Sequence, residues 1–150
     1  MNLDELRSLL ELTTVPGIGP TRIRALMAHF HSAQAIRAAT STALCGVMGI
    51  ERTLAESIRQ NPDSDFAARQ LEILAQRNTR LLTYWDDDYP ALLKKIPDPP
   101  ALLYLNGALS SQDQNALAIV GTRAPTQYGK MVSEKLTADL AGRGFTIVSG

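Results

Sequence analysis

The chain has 150 residues, of which 15 are basic, 15 acidic and 45% hydrophobic, with one cysteine. That length fits one ordinary domain or two small ones, and the apolar share can bury a core. A formal charge of zero excludes a protein that coats nucleic acid over its whole surface, so any nucleic-acid site has to be local. Cys45 cannot close an internal disulfide, which suits a cytoplasmic location, and its neighbours Leu44, Val47 and Met48 mark it as a small core residue. No apolar run approaches the roughly 20 residues of a membrane span, and Met1 to Glu11 lacks the basic flank and cleavage site of a signal peptide. One cysteine with His29 and His31 does not make a usual zinc set, and no metal or other cofactor is expected.

The first part of the chain reads as short helices. Leu6, Leu9 and Leu10 recur at helical spacing, and Pro16-Gly17-Ile18-Gly19-Pro20 then breaks the chain. Thr21 is the candidate cap of a second helix with Ile23, Leu26, Met27 and Phe30 on one face. Further helices are expected over Ser32 to Ala39, Thr42 to Val47 and Thr53 to Gln60. Asn61-Pro62-Asp63-Ser64 reads as a boundary, and a helix from Asp65 to Arg77 follows with Phe66, Leu71 and Leu74 inward.

The pattern then changes to strands. Arg80 to Tyr84 and Leu102 to Leu105 read as short strands, separated by a turn at Asp86 to Pro90, one helical turn at Ala91 to Lys95, and Pro97, Pro99 and Pro100. Ala116 to Val120 reads as a strand buried on both faces. A helix from Gln127 to Ala141 with Met131, Leu136 and Leu140 inward leads to a last buried strand, Phe145 to Val148. Strand, loop, helix, strand is one right-handed parallel crossover, the unit of a doubly wound sheet. So small a parallel sheet is poorly covered, and the chain is expected to be a fragment of a longer protein.

Two segments carry chemistry. In the first, Gly17 and Gly19 allow a tight turn, and amides at the following helix start suit a phosphate oxygen. Arg22 and Arg24 stand just beyond, and no Asp or Glu occurs from Leu12 to Ile50. Leu44 to Ile50 with Arg52 and Thr53 looks like a degenerate second copy, so the pair suggests a helix-hairpin-helix or SAM-like fold. Gly17, Ile18, Gly19, Thr21 and Arg22 are either DNA contacts or only a compact turn with Ile18 as a core plug.

In the second, the strand ending at Val120 delivers Gly121-Thr122-Arg123 to the carboxyl edge of a parallel sheet, where ligands bind in open sheets. Gly121 permits close approach, Thr122 offers a hydroxyl, Arg123 a planar cation, and the helix start at Gln127, Tyr128 and Gly129 free amides. Tyr128 can stack a base or pack on the sheet. Alternatively Gly121 and Pro125 only shape a turn. Neither G-x-G-x-x-G nor a P-loop is present, which argues against NAD, FAD or ATP. The Asp86-Asp87-Asp88 run is read as a solvated charge cluster rather than a metal site. No nucleophile, base and orienting group can be assembled, so no catalytic residue is assigned and the protein is not read as an enzyme.

Gly121-Thr122-Arg123, Pro125-Thr126 and Tyr128-Gly129 resemble the G-[ST]-R-x-x-[ST]-x-Y-G signature of the DNA-processing protein A (DprA/Smf) family. Tyr89 to Leu93, Ile96 to Pro100 and Leu103 to Gly107 resemble the entry to that family's Rossmann-like domain. Gly144 to Gly150 resembles the strand before its S-G-x-A-x-G-I-D loop. The resemblance implies an α/β fold, with a SAM-like domain over 1–62 and the truncated start of an extended Rossmann-like domain over 63–150. It also implies single-stranded DNA as ligand, the recombinase RecA as partner in natural transformation, and a homodimer in the full-length protein. By position, Arg123 would be the pocket arginine, with Gly121 and Thr122 shaping its loop and Ser149 and Gly150 opening the second loop. The competing reading is a nucleotide enzyme of the lysine-decarboxylase-like phosphoribohydrolase group, whose P-G-G-x-G-T-x-x-E signature is absent here.

Overall fold

The computed structural model describes residues 1–60 and 63–149, and of Ser111 and Gln112 the backbone alone. Of the boundary expected at Asn61-Pro62-Asp63-Ser64, the first two residues fall outside the described residues, while Asp63 and Ser64 open a helix. The chain forms two compact units, Met1–Gly107 and Ala108–Gly150.

In the first unit, α1 (Leu3–Thr13) begins at Asn2, whose side chain accepts from the Glu5 amide, and buries Leu9, Leu10 and Leu12. Helix α2 (Pro20–Phe30) starts earlier than its hydroxyl suggested. Gly19 is the N-cap and Thr21 lies inside the first turn. The cause is Pro20, whose fixed φ and missing N–H suit the first helical position. Short helices α3 (Ala33–Ala38) and α4 (Ser41–Cys45) follow, capped by the hydroxyls of Ser32 and Thr40. Then come α5 (Arg52–Gln60) and α6 (Ser64–Gln76), the latter capped by Asp63.

Leu9, Leu12, Val15, Leu26, Ile36, Leu44, Val47 and Ile58 join in one core. Cys45 does not join them. It is exposed at the end of α4, and Met48 is 93% exposed. Leu44, Val47 and Ile50 point inward, so a spacing of three residues places Cys45 and Met48 on the outer side.

A second cluster of Leu10, Ala67, Leu74 and Leu81 ties α1 and α6 to strand β1 (Thr79–Thr83). Strand β1 pairs antiparallel with β2 (Leu102–Asn106), from Thr79 opposite Asn106 to Thr83 opposite Leu102. Between them runs a loop with a 3-10 turn at Leu93–Lys95. This packing carries the first compact unit on to Gly107, well past the helices.

In the second unit, a 3-10 turn at Ser111–Asn115 leads into β3 (Ala116–Ile119), α7 (Gln127–Ala141) and β4 (Thr146–Ser149). Strands β3 and β4 are parallel, Ala116 opposite Thr146 and Ile119 opposite Ser149. The strand-helix-strand order agrees with the sequence pattern, but the burial does not. Leu117, Ala118 and Val120 are exposed, as are Met131 and Leu136, while Leu140 is half-buried. Two strands and one helix leave most of their apolar surface uncovered among the described residues, so the apolar pattern is not matched by burial within this unit.

Candidate nucleic-acid interface

Because Ile119 pairs with Ser149, the loop after β3 and the end of β4 emerge together at the carboxyl edge of the parallel pair. Gly121, Thr122 and Arg123 are all exposed in that loop. Gly121 has no positive φ, and a Cβ added there meets nothing within 4 Å. Neither conformation nor packing demands glycine, so its effect is to leave the backbone open to approach. Arg123 makes no hydrogen bond or ion pair among the described residues.

Helix α7 starts beyond the loop. Its N-cap is Thr126, whose Oγ1 accepts from the Gly129 amide at 3.1 Å. A Cβ on Gly129 would lie 3.4 Å from that oxygen, an ordinary van der Waals contact, so the cap itself does not demand glycine. The Gln127 and Tyr128 amides have no partner within the helix. The Tyr128 ring is 72% exposed. Ser149 is exposed at the end of β4, and Gly150 lies outside the described residues. A free guanidinium, two open amides, a hydroxyl and an exposed ring form a set suited to a phosphate with its base.

The hairpin of the first unit is organised differently. Gly17 has φ 85°, a conformation that favours glycine, and the Ile18 amide donates to the Val15 carbonyl at 3.1 Å. Ile18 is half-buried against the helical core. The Thr21 hydroxyl donates to Asp98 Oδ1 at 2.7 Å. Arg22 donates from Nη1 to the Gly17 carbonyl at 2.6 Å and from Nε to the Gly49 carbonyl at 2.9 Å, bracing one hairpin against the other. Arg37 is engaged as well, with the Ile58 carbonyl at 2.7 Å and Glu11 at 3.3 Å. The arginines that give this stretch its positive sequence bias are thus tied into the fold. The group left open is the backbone at Gly19 and the start of α2, which has no side-chain cap.

A strap that sequence reasoning missed lies along α2. Arg24 Nη2 pairs with Asp98 at 3.1 Å, and Nη1 donates to the Pro99 carbonyl. The Tyr89 hydroxyl donates to the Pro100 carbonyl at 2.8 Å. The Lys94 ammonium lies 5.2 Å and 5.6 Å from the Tyr84 and Tyr89 ring centroids, and the Arg24 guanidinium 5.7 Å from that of Tyr84. The one local signal was the Pro-Asp-Pro-Pro composition, which says that the segment is stiff but not where it docks. The Asp86-Asp87-Asp88 run serves its own turn. Asp86 accepts from the Thr83 amide at 2.7 Å, Asp88 pairs with Arg80, and no group of three metal-ligating side chains occurs among the described residues.

Hydrogen bonds from Thr21 and then Arg24 hold the Asp98 carboxyl below the usual carboxylate range. A depressed folded-state pKa contributes stability above the ordinary value of about 3.9 and loses it as pH falls. Asp98→Ala is therefore expected to melt below the wild type near about pH 7. The gap should close as pH drops below about 4 in thermal melts of both proteins. A gap independent of pH would assign the loss to something other than the carboxylate.

The family model described as DNA recombination-mediator protein A matches residues 80–150, and one for a SAM-like helix-hairpin-helix tandem matches residues 9–60. Protein Smf of Synechocystis sp. is 36% identical over 145 residues, 94% of this chain. The chain belongs to the DprA/Smf family. DNA processing protein DprA of Bacillus subtilis is 46% identical over 63 residues, 41% of this chain and 21% of that protein. UvrABC system protein C of Cereibacter sphaeroides is 49% identical over 51 residues, 34% of this chain and 8% of that protein. The chain spans 36% of the length of the Synechocystis Smf. The DprA/Smf match runs from β1 through the strap and the Arg123 loop, and the tandem match encloses both hairpins. Among the described residues no helix is long and apolar enough to cross a membrane.

Proposed function

We propose that this chain is part of a cytoplasmic single-stranded DNA-binding recombination mediator that helps load RecA onto incoming DNA, and that it acts by binding rather than by catalysis. In this reading residues 1–62 are its SAM-like domain and 63–150 the start of the extended Rossmann-like domain, which dimerises in the full-length protein. The observation that carries it is the unpaired, exposed Arg123 in a loop that opens at the carboxyl edge of β3 and β4. A strand of DNA would place a phosphate on Arg123 and the open amides of Gln127 and Tyr128. Gly121 and Gly129 would keep the backbone accessible, Thr122 and Ser149 would add hydroxyls, and Gly150 would begin the neighbouring loop. Tyr128 would stack a base, and such contacts tolerate any sequence. In the first unit, the backbone amides of Gly17, Gly19, Thr21 and Arg22 would supply a second contact, with Ile18 holding the turn through its own amide and the Thr21 and Arg22 side chains already engaged.

The test is fluorescence anisotropy of a labelled oligothymidylate with the chain and with Arg123→Ala across a salt series. Affinity is expected to drop about tenfold in the variant, and the salt dependence to lose about 0.7 of a phosphate-release slope. Unchanged binding would move the contact to the hairpin. No binding by a folded chain would remove the reading from these residues.

A further inference from the structure

The two hairpins are copies in register. Val15 corresponds to Val47, Gly17 to Gly49, Ile18 to Ile50, and the helix start at Pro20 to that at Arg52. Gly17 and Gly49 share φ 85°, and the Ile18 and Ile50 amides both donate to the valine carbonyl at 3.1 Å. The carbonyls one residue before each helix also correspond, Gly19 accepting from Ile23 at 3.1 Å and Glu51 from Ala55 at 2.9 Å. Glu51 thus occupies the place that Gly19 has in the first copy.

At this position the copies differ in charge and bulk, and the next residue differs too, Pro20 in the first copy standing where the second has Arg52. Around Gly19 an added Cβ would meet nothing within 4 Å, so the first copy presents bare backbone. Glu51 is exposed and its side chain makes no hydrogen bond or ion pair among the described residues. Its neighbour Arg52 is turned to Glu56 at 3.2 Å. Arg22 ties the Gly17 and Gly49 carbonyls together, so the bare hairpin and the acidic one sit side by side. On the first hairpin the nearby Asp98 is matched by Arg24 at 3.1 Å, while Glu51 forms no ion pair among the described residues, the neighbouring Arg22 guanidinium being held on the Gly17 and Gly49 carbonyls.

We propose that Glu51 is a specificity-determining residue that restricts the tandem to one strand. The first hairpin would accept a phosphate, and the second would repel the phosphate of a complementary strand. A duplex brings two phosphate backbones to adjoining hairpins, and an unpaired carboxylate beside one of them is unfavourable by Coulomb repulsion. The inference rests on the hairpin contact in the proposed function.

The experiment compares single-stranded oligothymidylate with a duplex of the same length, by anisotropy at low salt. It uses the wild-type chain, Glu51→Gly, Glu51→Gln and Gly19→Glu, with melting curves confirming that each is folded. Both Glu51 variants are expected to raise the ratio of duplex to single-strand affinity about fivefold and to steepen the duplex salt dependence. Gly19→Glu is expected to weaken single-strand binding. An unchanged ratio in both Glu51 variants, with single-strand binding weakened by Gly19→Glu, would overturn the role of Glu51 and leave the hairpin contact standing. If Gly19→Glu changes nothing, the hairpin is not a contact and the role of Glu51 falls with it, while the Arg123 contact is decided by its own variant.

Discussion

Leu26→Ala will destabilise the first unit by about 3 to 4 kcal/mol, the loss typical of a leucine cut back inside a close-packed core. Leu26 is fully buried on the inner face of α2 and packs in the cluster that holds Leu9, Leu12, Ile36, Leu44 and Ile58. Those partners come from α1, α3, α4 and α5, so no single helix can move in to fill the space. Urea unfolding should show a lower midpoint at an unchanged slope, because the exposed surface on unfolding stays the same. A loss under about 1 kcal/mol would mean that α2 is not seated on this core. Since α2 begins at the hairpin, its displacement would also remove the bracing of Arg22 against Gly49.

Glu11→Ala is expected to cost about 2 kcal/mol. The Glu11 carboxylate is buried at the end of α1, 3.4 Å from Arg7 and 3.3 Å from Arg37, whose other nitrogen donates to the Ile58 carbonyl. One acidic side chain thereby links α1, α3 and the end of α5. Removing it leaves the Arg37 guanidinium partly buried with a carbonyl as its one acceptor, which is worse than never having built the pair. Arg37 is 24% exposed, and water recovers part of the loss, which keeps the figure below that of a fully buried pair. A double-mutant cycle with Arg37→Ala should return a coupling of about 1 kcal/mol or more, and near-zero coupling would show the two charges to be independent.

Much of the architecture was legible because it is written in local signals. Apolar spacing located the helices, and Pro16 to Pro20 marked the hairpin. The β-branched run before Gly121, the helix after Thr126 and the run at Phe145 specified a parallel crossover. The start of α2 was misread because Thr21 has the chemistry of a cap, whereas Pro20 has the geometry of a first helical residue. Cys45 was misplaced because hydrophobic neighbours do not reveal which side of a five-residue helix faces in. The engagement of Arg22, Arg24 and Arg37 was invisible, since each is decided by a carbonyl or carboxylate distant in sequence. For the loop at Gly121 to Gly129, the residue types and their order were readable, and the structure adds that Arg123 is unpaired.

The strap has a consequence for the order in which the first unit folds. Each hairpin turn closes through contacts between near neighbours, Ile18 to Val15 and Ile50 to Val47, which lose little loop entropy on forming. The bond from Thr21 to Asp98 joins residues 77 apart, and that from Arg24 to Pro99 spans 75. Contacts at that separation carry a larger loop-closure cost than those within a hairpin, so the strap is expected to seat after the hairpins have formed. Ala101, at the end of the strap, is buried in the helical core, so an opening that stays below global unfolding would be confined to Asp98, Pro99 and Pro100.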